Sequence, residues 1–323
     1  MKQISIEIIH KCPNSCMHCS SCSGPDCTMM IETEKVRELI DSAVDLNTKV
    51  LSISGGEPLL HPGLLSIVQY AKKRGREVYI YTSGISLDDR GQAQSMDLGL
   101  AKELYKCGVD KIIFDLPAID EAVYNKFMGT SGYQKYVFES IRKVQSVGIF
   151  SEIHFVPTKL NVKEIPKVME FAEKERIDMV SFLGLVPHGR TVKNIGQLVL
   201  SSEDIGRVKQ ILKDISNEKV RVGIPLQSNN CKAHCYAGTN KLCVRYDGKV
   251  FGCEAFKYIQ LVDGKGNLVK PDSIYQKNLK DIYINSEYLE LEQKFVSDQM
   301  KNCECAEKCP VQRMMREKNE NMK

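Results

Sequence analysis

The sequence predicts an α/β protein with a parallel sheet and crossover helices, followed by a smaller cysteine-rich region. Short β-branched runs alternate about six times with segments that have apolar residues at helical spacing. Several of these helical segments end at glycine, as helix C-termini often do. After residue 222 the alternation gives way to a different texture. We therefore expect a core in residues 1–222 and a second domain in residues 223–323.

The strands of the core are predicted from six short runs. They are ISIEII (4–9), VLSIS (50–54), VYIYT (78–82), KIIFDL (111–116), FSEIHFV (150–156) and MVSFLGLV (179–186). The segments between them, such as TEKVRELIDSAVDL, carry the period of amphipathic helices. Periodicity favours a parallel sheet but does not distinguish an open sheet from a barrel.

The region after residue 222 contains two turn signals and one helical segment. Two alternating runs around Asp247-Gly248, in LCVRYDGKVFGC, predict a β-hairpin. A second glycine-rich turn is expected at 263–267, and residues 284–300 read as helical before a charged tail.

Composition excludes several classes of protein. Apolar residues make up 42% of the 323 residues, which is enough for a sizeable core. The net charge of +4 is spread over interspersed basic and acidic residues, so nothing indicates a nucleic-acid partner. The first residues lack the layout of a signal peptide, and no apolar run reaches the roughly 18–20 residues that span a bilayer. We therefore expect a cytoplasmic protein without a membrane partner.

The sequence has thirteen cysteines. Because thiols stay reduced in the cytoplasm, so many cysteines predict metal ligands rather than disulfides. Five lie between Cys12 and Cys27, seven lie between Cys231 and Cys309, and Cys107 stands alone in an apolar helical context. The two groups predict two separate metal sites. Cys107 is expected to be a buried small hydrophobic residue.

Cys12, Cys16 and Cys19 form C-x3-C-x2-C directly after the first strand. Three thiolates can bind three irons of a cubane cluster and leave the fourth iron open for a small molecule. A structural zinc site is the alternative, with His18 or Cys22 as a fourth ligand. Spacing alone leaves both open.

Gly55-Gly56-Glu57-Pro58 follows the second strand. Two glycines allow a backbone to approach a ligand closely, and Glu57 offers an acceptor for an ammonium group. By itself the motif is also typical of a strand-to-helix turn. One strand after C-x3-C-x2-C, it favours a cluster that binds a cofactor.

Together the two motifs resemble the radical SAM superfamily, over residues 3–222. The resemblance implies a partial (β/α)6 TIM-like barrel and a [4Fe–4S] cluster whose open iron is chelated by S-adenosylmethionine. It gives cofactor-binding roles to His18, Gly55, Gly56, Glu57, Pro58, Ser83, Asp115, Glu152, His154 and Val186.

Some of these assignments depart from the family pattern. His18 stands where relatives usually have an aromatic residue over the cofactor, and Asp115 stands where they often have Ser followed by Asp-Gly. Glu152 and His154 point to one face of the fifth strand, where the family contacts ribose and substrate. A solvated strand end is the alternative for this pair. Val186 is expected to contact adenine.

The second cysteine group contains Cys235-x12-Gly248-x4-Cys253. The hairpin at Asp247-Gly248 should bring Cys253 beside Cys235. The pattern resembles the SPASM and twitch extensions of radical SAM enzymes, which implies a small iron–sulfur domain. The candidate ligands are Cys231, Cys235, Cys253, Cys303, Cys305 and Cys309, with Cys243 as either a ligand or a core residue. One auxiliary [4Fe–4S] cluster is favoured over two clusters or zinc.

The resemblance implies reductive cleavage of S-adenosylmethionine to a 5′-deoxyadenosyl radical that abstracts hydrogen from a peptide or protein. Such an enzyme is an oxidoreductase, maturase or epimerase that needs an external electron donor such as flavodoxin or ferredoxin. A small-molecule substrate in cofactor or metabolite biosynthesis is the alternative, and a non-catalytic iron–sulfur electron carrier is the alternative of another class. Cys22 and Cys27 are either inert or hydrogen donors to a substrate radical.

Overall fold

The computed structural model describes residues 1–223, 226–227, 235–301 and 309–314. Among these residues, no helix combines the length and apolar character needed to cross a membrane.

Up to residue 222, one or more helices separate most of the successive strands. The strands are β1 Gln3–Ile9, β2 Val50–Gly55, β3 Glu77–Thr82, β4 Ile85–Leu87, β5 Ala93–Ser95, β6 Lys111–Asp115, β7 Ser151–Phe155, β8 Met179–Phe182, β9 Val220–Val222, β10 Lys241–Val244, β11 Val250–Phe251, β12 Leu261–Val262 and β13 Leu268–Val269. The helices are α1 Thr33–Asp45, α2 Leu64–Lys73, α3 Leu98–Lys106, α4 Glu121–Met128, α5 Gln134–Ser146, α6 Ile165–Lys174, α7 Arg190–Lys193, α8 Ile195–Leu198, α9 Ser202–Asp214, α10 Leu279–Asn285 and α11 Glu287–Lys301.

The main sheet has the strand order β11-β10-β1-β2-β3-β6-β7-β8-β9. Every neighbouring pair is parallel except β10 and β11. The six runs predicted as strands are β1, β2, β3, β6, β7 and β8. The prediction of a parallel α/β sheet is therefore confirmed, and within the described residues β11 and β9 are its two open edges. The sequence did not predict β9 or the small β4–β5 hairpin.

Alternate residues of the strands face different surroundings. On β1, Ile4 and Ile6 are fully buried in the main apolar core, whereas Ser5 and Glu7 line a cavity on the other face of the sheet. On β7, Ile153 likewise lies in the core. Because successive strand residues point to opposite faces, one face of the sheet packs on helices and the other is polar.

The C-terminal region extends the main sheet. The hairpin predicted at Asp247-Gly248 is confirmed as β10 and β11, which pair antiparallel with Cys243 opposite Phe251. Strand β10 also pairs in parallel with β1, so that Gln3 lies beside Lys241. The sheet therefore runs through both predicted regions, and their division at residue 222 stays a prediction.

Smaller predictions in this part of the chain also have outcomes. The turn at 263–267 joins β12 to β13, as expected. The predicted helical stretch 284–300 is interrupted at Ser286, between α10 and α11. Cys107, expected to be buried, is half-buried against the main core.

Candidate metal and cofactor site

A cavity of about 450 Å³ lies against the polar face of the main sheet. In parallel α/β proteins, ligands bind at the carboxyl ends of the strands. The loop that carries the first cysteine motif begins where β1 ends, and Asp115 is the last residue of β6. The cavity brings together most of the predicted site residues: Cys12, Cys16, His18, Cys19, Gly55, Gly56, Ser83, Asp115, His154 and Val186.

Three thiols, those of Cys12, Cys16 and Cys19, line this cavity. Cys12 and Cys16 are buried, and Cys19 is half-buried. Burial raises the pKa of the Cys16 thiol well above its usual value, and the neighbouring Cys12 and Cys19 raise it further. A metal centre would offset this penalty, because metal ligation favours the thiolate form. The three residues therefore fit a cluster that accepts one thiolate on each of three irons.

In the described residues no three His, Cys, Asp or Glu side chains are arranged to hold a single metal ion. A cubane cluster does not require such convergence on one point, because each thiolate binds a different iron.

The loop of Cys12, Cys16 and Cys19 (the cluster loop, residues 10–24) is held by the turn after β8. The guanidinium of Arg190 donates from Nε to the Cys16 carbonyl at 2.7 Å and from Nη2 to the Ser23 carbonyl at 2.6 Å. The Arg190 N–H donates to the Cys19 carbonyl at 3.0 Å. At Gly189, where φ is +62°, a Cβ would lie 2.4 Å from that same carbonyl oxygen. Sequence reasoning gave Val186 a contact with adenine and did not predict the contact between Arg190 and the cluster loop.

Gly55 and Gly56 are needed for a reason that differs from the expected approach to a ligand. A Cβ on Gly55 would lie 2.3 Å from the Ile9 carbonyl oxygen, and one on Gly56 would lie 2.2 Å from that of Lys11. The Gly56 N–H donates to the Ile9 carbonyl at 2.6 Å. The glycines therefore let the end of β2 pack directly on the start of the cluster loop. They also line the cavity.

Glu57 does not present a free carboxylate to the cavity, in contrast to the expected ammonium contact. It is fully buried and accepts hydrogen bonds from Leu59 N, Thr82 Oγ1 and both the N–H and Oγ–H of Ser83. Burial raises its pKa, and these hydrogen bonds oppose that shift. Pro58 is buried at the start of a 3-10 turn and likewise does not line the cavity. Glu57 thus positions Ser83, and Ser83 lines the cavity.

His18 and Asp115 contact each other in the lining of the cavity. His18 Nε2 lies 3.3 Å from Asp115 Oδ2. The His18 ring packs against Phe127, with 4.6 Å between the ring centroids. The structure therefore brings together the two positions that depart from the family pattern.

Glu152 and His154 share one face of β7 and are buried, so the alternative of a solvated strand end is wrong. Glu152 bonds with His154 Nε2 at 3.1 Å and with Lys111 Nζ at 3.2 Å, and it also accepts from Ser181 and Arg221. Burial opposes ionisation of Glu152, but His154, Ser181 and Arg221 together hold its pKa below the usual range. Burial lowers the pKa of His154. Of the pair, His154 lines the cavity and Glu152 supports it from behind.

Cys22 and Cys27, predicted to be either inert or hydrogen donors, do not line the cavity, and the choice between these two roles stays a prediction. Cys22 is exposed at a positive φ of 56°. The Cys27 thiol lies 3.6 Å from His10 Nε2, outside the cavity wall.

The C-terminal cysteines within the described residues fall into two kinds. Cys235, Cys253 and Cys309 pack on one apolar cluster. Burial raises the pKa of the Cys253 thiol, and the nearby Glu254 and Cys309 raise it further. Cys243 is fully buried within β10, as expected of a core residue. Cys231, Cys303 and Cys305 lie outside the described residues.

The hairpin aligns the segments that carry two of these cysteines. The Gly238 N–H, three residues after Cys235, donates to the carbonyl of Gly252 at 3.2 Å. Gly252 immediately precedes Cys253. The segments that carry Cys235 and Cys253 are therefore in contact, and the ligation of one cluster by the two cysteines stays a prediction.

Sequence reasoning missed one wall of the cavity, which the C-terminal region supplies. Lys241, Glu254 and Lys257 (the C-terminal wall) all line the cavity. Lys241 pairs with Glu254 at 2.7 Å, and Lys257 pairs with Glu7 of β1 at 2.7 Å. The available signal was the alternation of polar Gln3, Ser5 and Glu7 with isoleucines along β1.

Relatives of known activity resemble the chain at low identity. It is 26% identical to Fe-coproporphyrin III synthase of Methanosarcina barkeri, over 70% of this chain and 54% of that protein. It is 24% identical to PqqA peptide cyclase of Granulibacter bethesdensis, over 65% of this chain and 56% of that protein. A cofactor-modifying protein for tungsten-containing aldehyde ferredoxin oxidoreductase, from Pyrococcus furiosus, is 25% identical, over 89% and 82%. The chain thus spans about half the length of the first two relatives.

Solved structures share the fold at still lower identity. Streptococcus suis SuiB bound to precursor peptide SuiA matches with a TM-score of 0.73 and 16% identity, over 91% of this chain and 66% of that one. Native anSMEcpe with bound AdoMet and Cp18Cys peptide matches with a TM-score of 0.65 and 14% identity, over 94% and 86%.

The family model of the radical SAM superfamily matches residues 6–172, which is more than half of the chain. That segment contains the cluster loop, the two glycines after β2 and most of the strands that line the cavity. The chain therefore belongs to the radical SAM superfamily.

Proposed function

We propose that this chain reductively cleaves S-adenosylmethionine and uses the resulting 5′-deoxyadenosyl radical to abstract hydrogen from a side chain of a peptide or protein. Membership of the superfamily implies a [4Fe–4S] cluster and S-adenosylmethionine. One observation carries the proposal: the thiols of Cys12, Cys16 and Cys19 and the backbone of Gly55-Gly56 line one cavity.

The residues of the cavity divide the work of holding these groups. Cys12, Cys16 and Cys19 would ligate three irons, which leaves one iron for the amino and carboxylate groups of S-adenosylmethionine. The bound cluster and S-adenosylmethionine supply the electron transfer and the radical chemistry. The backbone at Gly55-Gly56 and the Ser83 hydroxyl line the same cavity and would offer polar contacts to the amino and carboxylate groups of S-adenosylmethionine.

Other residues of the same cavity would hold the nucleoside. Asp115 and His154 present polar groups at the ends of adjacent strands, where Asp115 is the register partner of His154. His18 and Val186 offer flat and apolar surfaces in the same cavity. The protein's contribution is to place one carbon atom within contact of one substrate C–H bond and to exclude water.

A relative and a structural neighbour support a peptide substrate. SuiB, whose fold is similar, is described in complex with a precursor peptide, and PqqA peptide cyclase is a relative.

A small-molecule substrate is the second candidate, because relatives act on such molecules. Fe-coproporphyrin III synthase is one of them, and a probable GTP 3′,8-cyclase of Sulfurisphaera tokodaii is 22% identical over 78% of this chain and 81% of that protein. The genes beside this one would distinguish the two. A short open reading frame whose peptide product changes mass on incubation with the enzyme supports the first candidate.

An auxiliary [4Fe–4S] cluster in the C-terminal region belongs to the same proposal. Cys235, Cys253 and Cys309 pack on one apolar cluster, and Cys231, Cys303 and Cys305 are further candidate ligands. The auxiliary cluster would accept an electron from the product radical or bind the substrate. An external one-electron donor of the flavodoxin or ferredoxin kind would reduce the first cluster.

The deciding experiment is anaerobic reconstitution with iron and sulfide, followed by S-adenosylmethionine and dithionite. We expect 5′-deoxyadenosine and methionine from the wild type and from Cys107→Ala, whose cysteine lies outside the site, but not from Cys16→Ala. A reconstituted cluster without 5′-deoxyadenosine would favour the non-catalytic carrier. A single zinc ion without sulfide would overturn the proposal.

A further inference from the structure

The side chain of Lys257 reaches from the C-terminal region into the cluster loop. It is 1% exposed and lies four residues after Cys253. Its ammonium group donates to Glu7 Oε1 at 2.7 Å, to Ser21 Oγ at 2.6 Å and to Ser20 Oγ at 3.0 Å. An ammonium group has three N–H donors, so all three donate hydrogen bonds, one to Glu7 of β1 and two to the residues that follow Cys19.

These contacts form a closed set. Ser21 Oγ also donates to Glu7 Oε1 at 2.6 Å, so Lys257, Ser21 and Glu7 each contact the other two. Hydrogen bonds from a charged donor are stronger than neutral ones, and burial strengthens them further. The position of Ser21 is therefore fixed relative to both β1 and the C-terminal region.

Two charged side chains, Arg190 and Lys257, anchor the cluster loop at different positions. Arg190 holds the carbonyls of Cys16 and Ser23. Lys257 holds the side chains of Ser20 and Ser21, between these carbonyls. Removal of Lys257 would leave the segment directly after Cys19 without its charged anchor, while Arg190 continued to hold its flanks.

We propose that Lys257 is a positioning residue through which the C-terminal region sets the geometry of the first cluster and hence of bound S-adenosylmethionine. This inference rests on the proposed function of the same site. It assigns the C-terminal region a role at the first cluster in addition to any auxiliary cluster of its own.

The test compares four proteins, each as the full chain. Lys257→Met removes the three donors but leaves the Glu7 carboxylate buried without its cation, which destabilises folds for reasons unrelated to the loop. The double variant Lys257→Met with Glu7→Gln removes both charges. Lys277→Met is the matched control, since Lys277 belongs to the same region and pairs with Asp272 at 2.7 Å on the surface. The wild type is the reference.

Two readouts separate positioning from stability. The first is amide hydrogen exchange of residues 19–24 in the metal-free protein, which we expect to be about tenfold faster in both Lys257 variants and unchanged in Lys277→Met. The second is the change in the electron paramagnetic resonance signal of the reduced protein on titration with S-adenosylmethionine. We expect about tenfold weaker binding per reconstituted cluster in both Lys257 variants.

The double variant distinguishes a positioning role of Lys257 from a role in stability alone. Its thermal stability should recover towards the wild type, whereas the exchange and binding defects should remain. If the defects disappear together with the instability, Lys257 serves the fold alone and the inference is wrong. If the wild type shows no response to S-adenosylmethionine, the proposed function fails, and the claim about that cofactor fails with it. Exchange in the metal-free protein would still decide whether Lys257 anchors the loop.

Discussion

Arg190 Nε donates to the carbonyl oxygen of Cys16 across 2.7 Å, although 174 residues separate the two in sequence. The same guanidinium donates to the carbonyl of Ser23, so one side chain links two positions of the cluster loop. Burial raises the pKa of the Cys12 and Cys16 thiols, and the positive charge of Arg190 opposes this shift. The turn after β8 therefore contributes to the first cluster site both geometrically and electrostatically.

The first prediction concerns this arginine. Arg190→Met should lower the iron and sulfide retained at the first site and destabilise the fold, because hydrogen bonds from a charged group contribute about 1.5–3 kcal/mol each. Iron per chain after reconstitution and urea unfolding would measure the two effects. Arg207→Met is the control, because Arg207 is exposed and pairs with Glu203 on α9. Equal iron retention in the two variants would contradict the role given to Arg190.

The second prediction compares the same substitution at two glycines. Gly56→Ala would place a Cβ 2.2 Å from the Lys11 carbonyl oxygen, so the end of β2 and the cluster loop must separate. We expect a loss of about 3 kcal/mol or more and poor cluster assembly. Gly196→Ala, in α8, meets nothing within 4 Å and should stabilise the protein slightly. Thermal unfolding of both variants provides the measurement, and a benign Gly56→Ala would show that the packing of β2 on the loop is not required.

Local signals in the sequence predicted the strands and the cluster loop. Period-two alternation and turn residues are short-range features, so β1 and the Asp247-Gly248 hairpin could be read directly. The pairing of β10 with β1 could not be predicted, because no local pattern shows which distant strand pairs with β1. Once this pairing exists, the C-terminal wall follows from it.

Charged residues were the harder part of the site. Lys257 reads as an ordinary surface lysine in sequence, and only the fold shows that Glu7, 250 residues away, makes its burial possible. Glu57 was expected to accept a hydrogen bond from an ammonium group of the ligand. The structure instead surrounds it with donors from Thr82 and Ser83. Both Lys257 and Glu57 are buried because their hydrogen-bond partners come from distant parts of the chain.

The third prediction separates the two cysteine groups. Cys16→Ala should abolish formation of 5′-deoxyadenosine, because Cys16 is one of the three thiols at the cavity. Cys253→Ala should lower the iron content but spare cleavage of S-adenosylmethionine, since Cys253 packs on the C-terminal apolar cluster. Product yield and iron per chain should be measured on the same preparations. An equal loss of cleavage in both variants would contradict the division into two metal sites.

The last prediction uses the buried carboxyl of Glu292 on α11. Oε2 accepts a hydrogen bond from the Gly252 N–H, while Oε1 has no hydrogen-bond partner among the described residues. Burial raises the pKa of this carboxyl well above its usual value of 4.5. Above pH 4.5 the folded protein therefore keeps a proton that the unfolded chain releases, so the free energy of unfolding should fall as pH rises towards the native pKa.

Glu292→Gln replaces this carboxyl with a neutral group of similar shape, so the variant should lose that part of the pH dependence. Its stability relative to the wild type should increase with pH above about 4.5, by at most about 1.4 kcal/mol per pH unit, until the native pKa is reached. Urea unfolding between pH 4.5 and 8 measures this difference. Glu290→Gln, at an exposed position on the same helix, is the matched control and should follow the wild type. Parallel curves for Glu292→Gln and the wild type would mean that Glu292 is ionised in the folded protein, and that a cation outside the described contacts neutralises it.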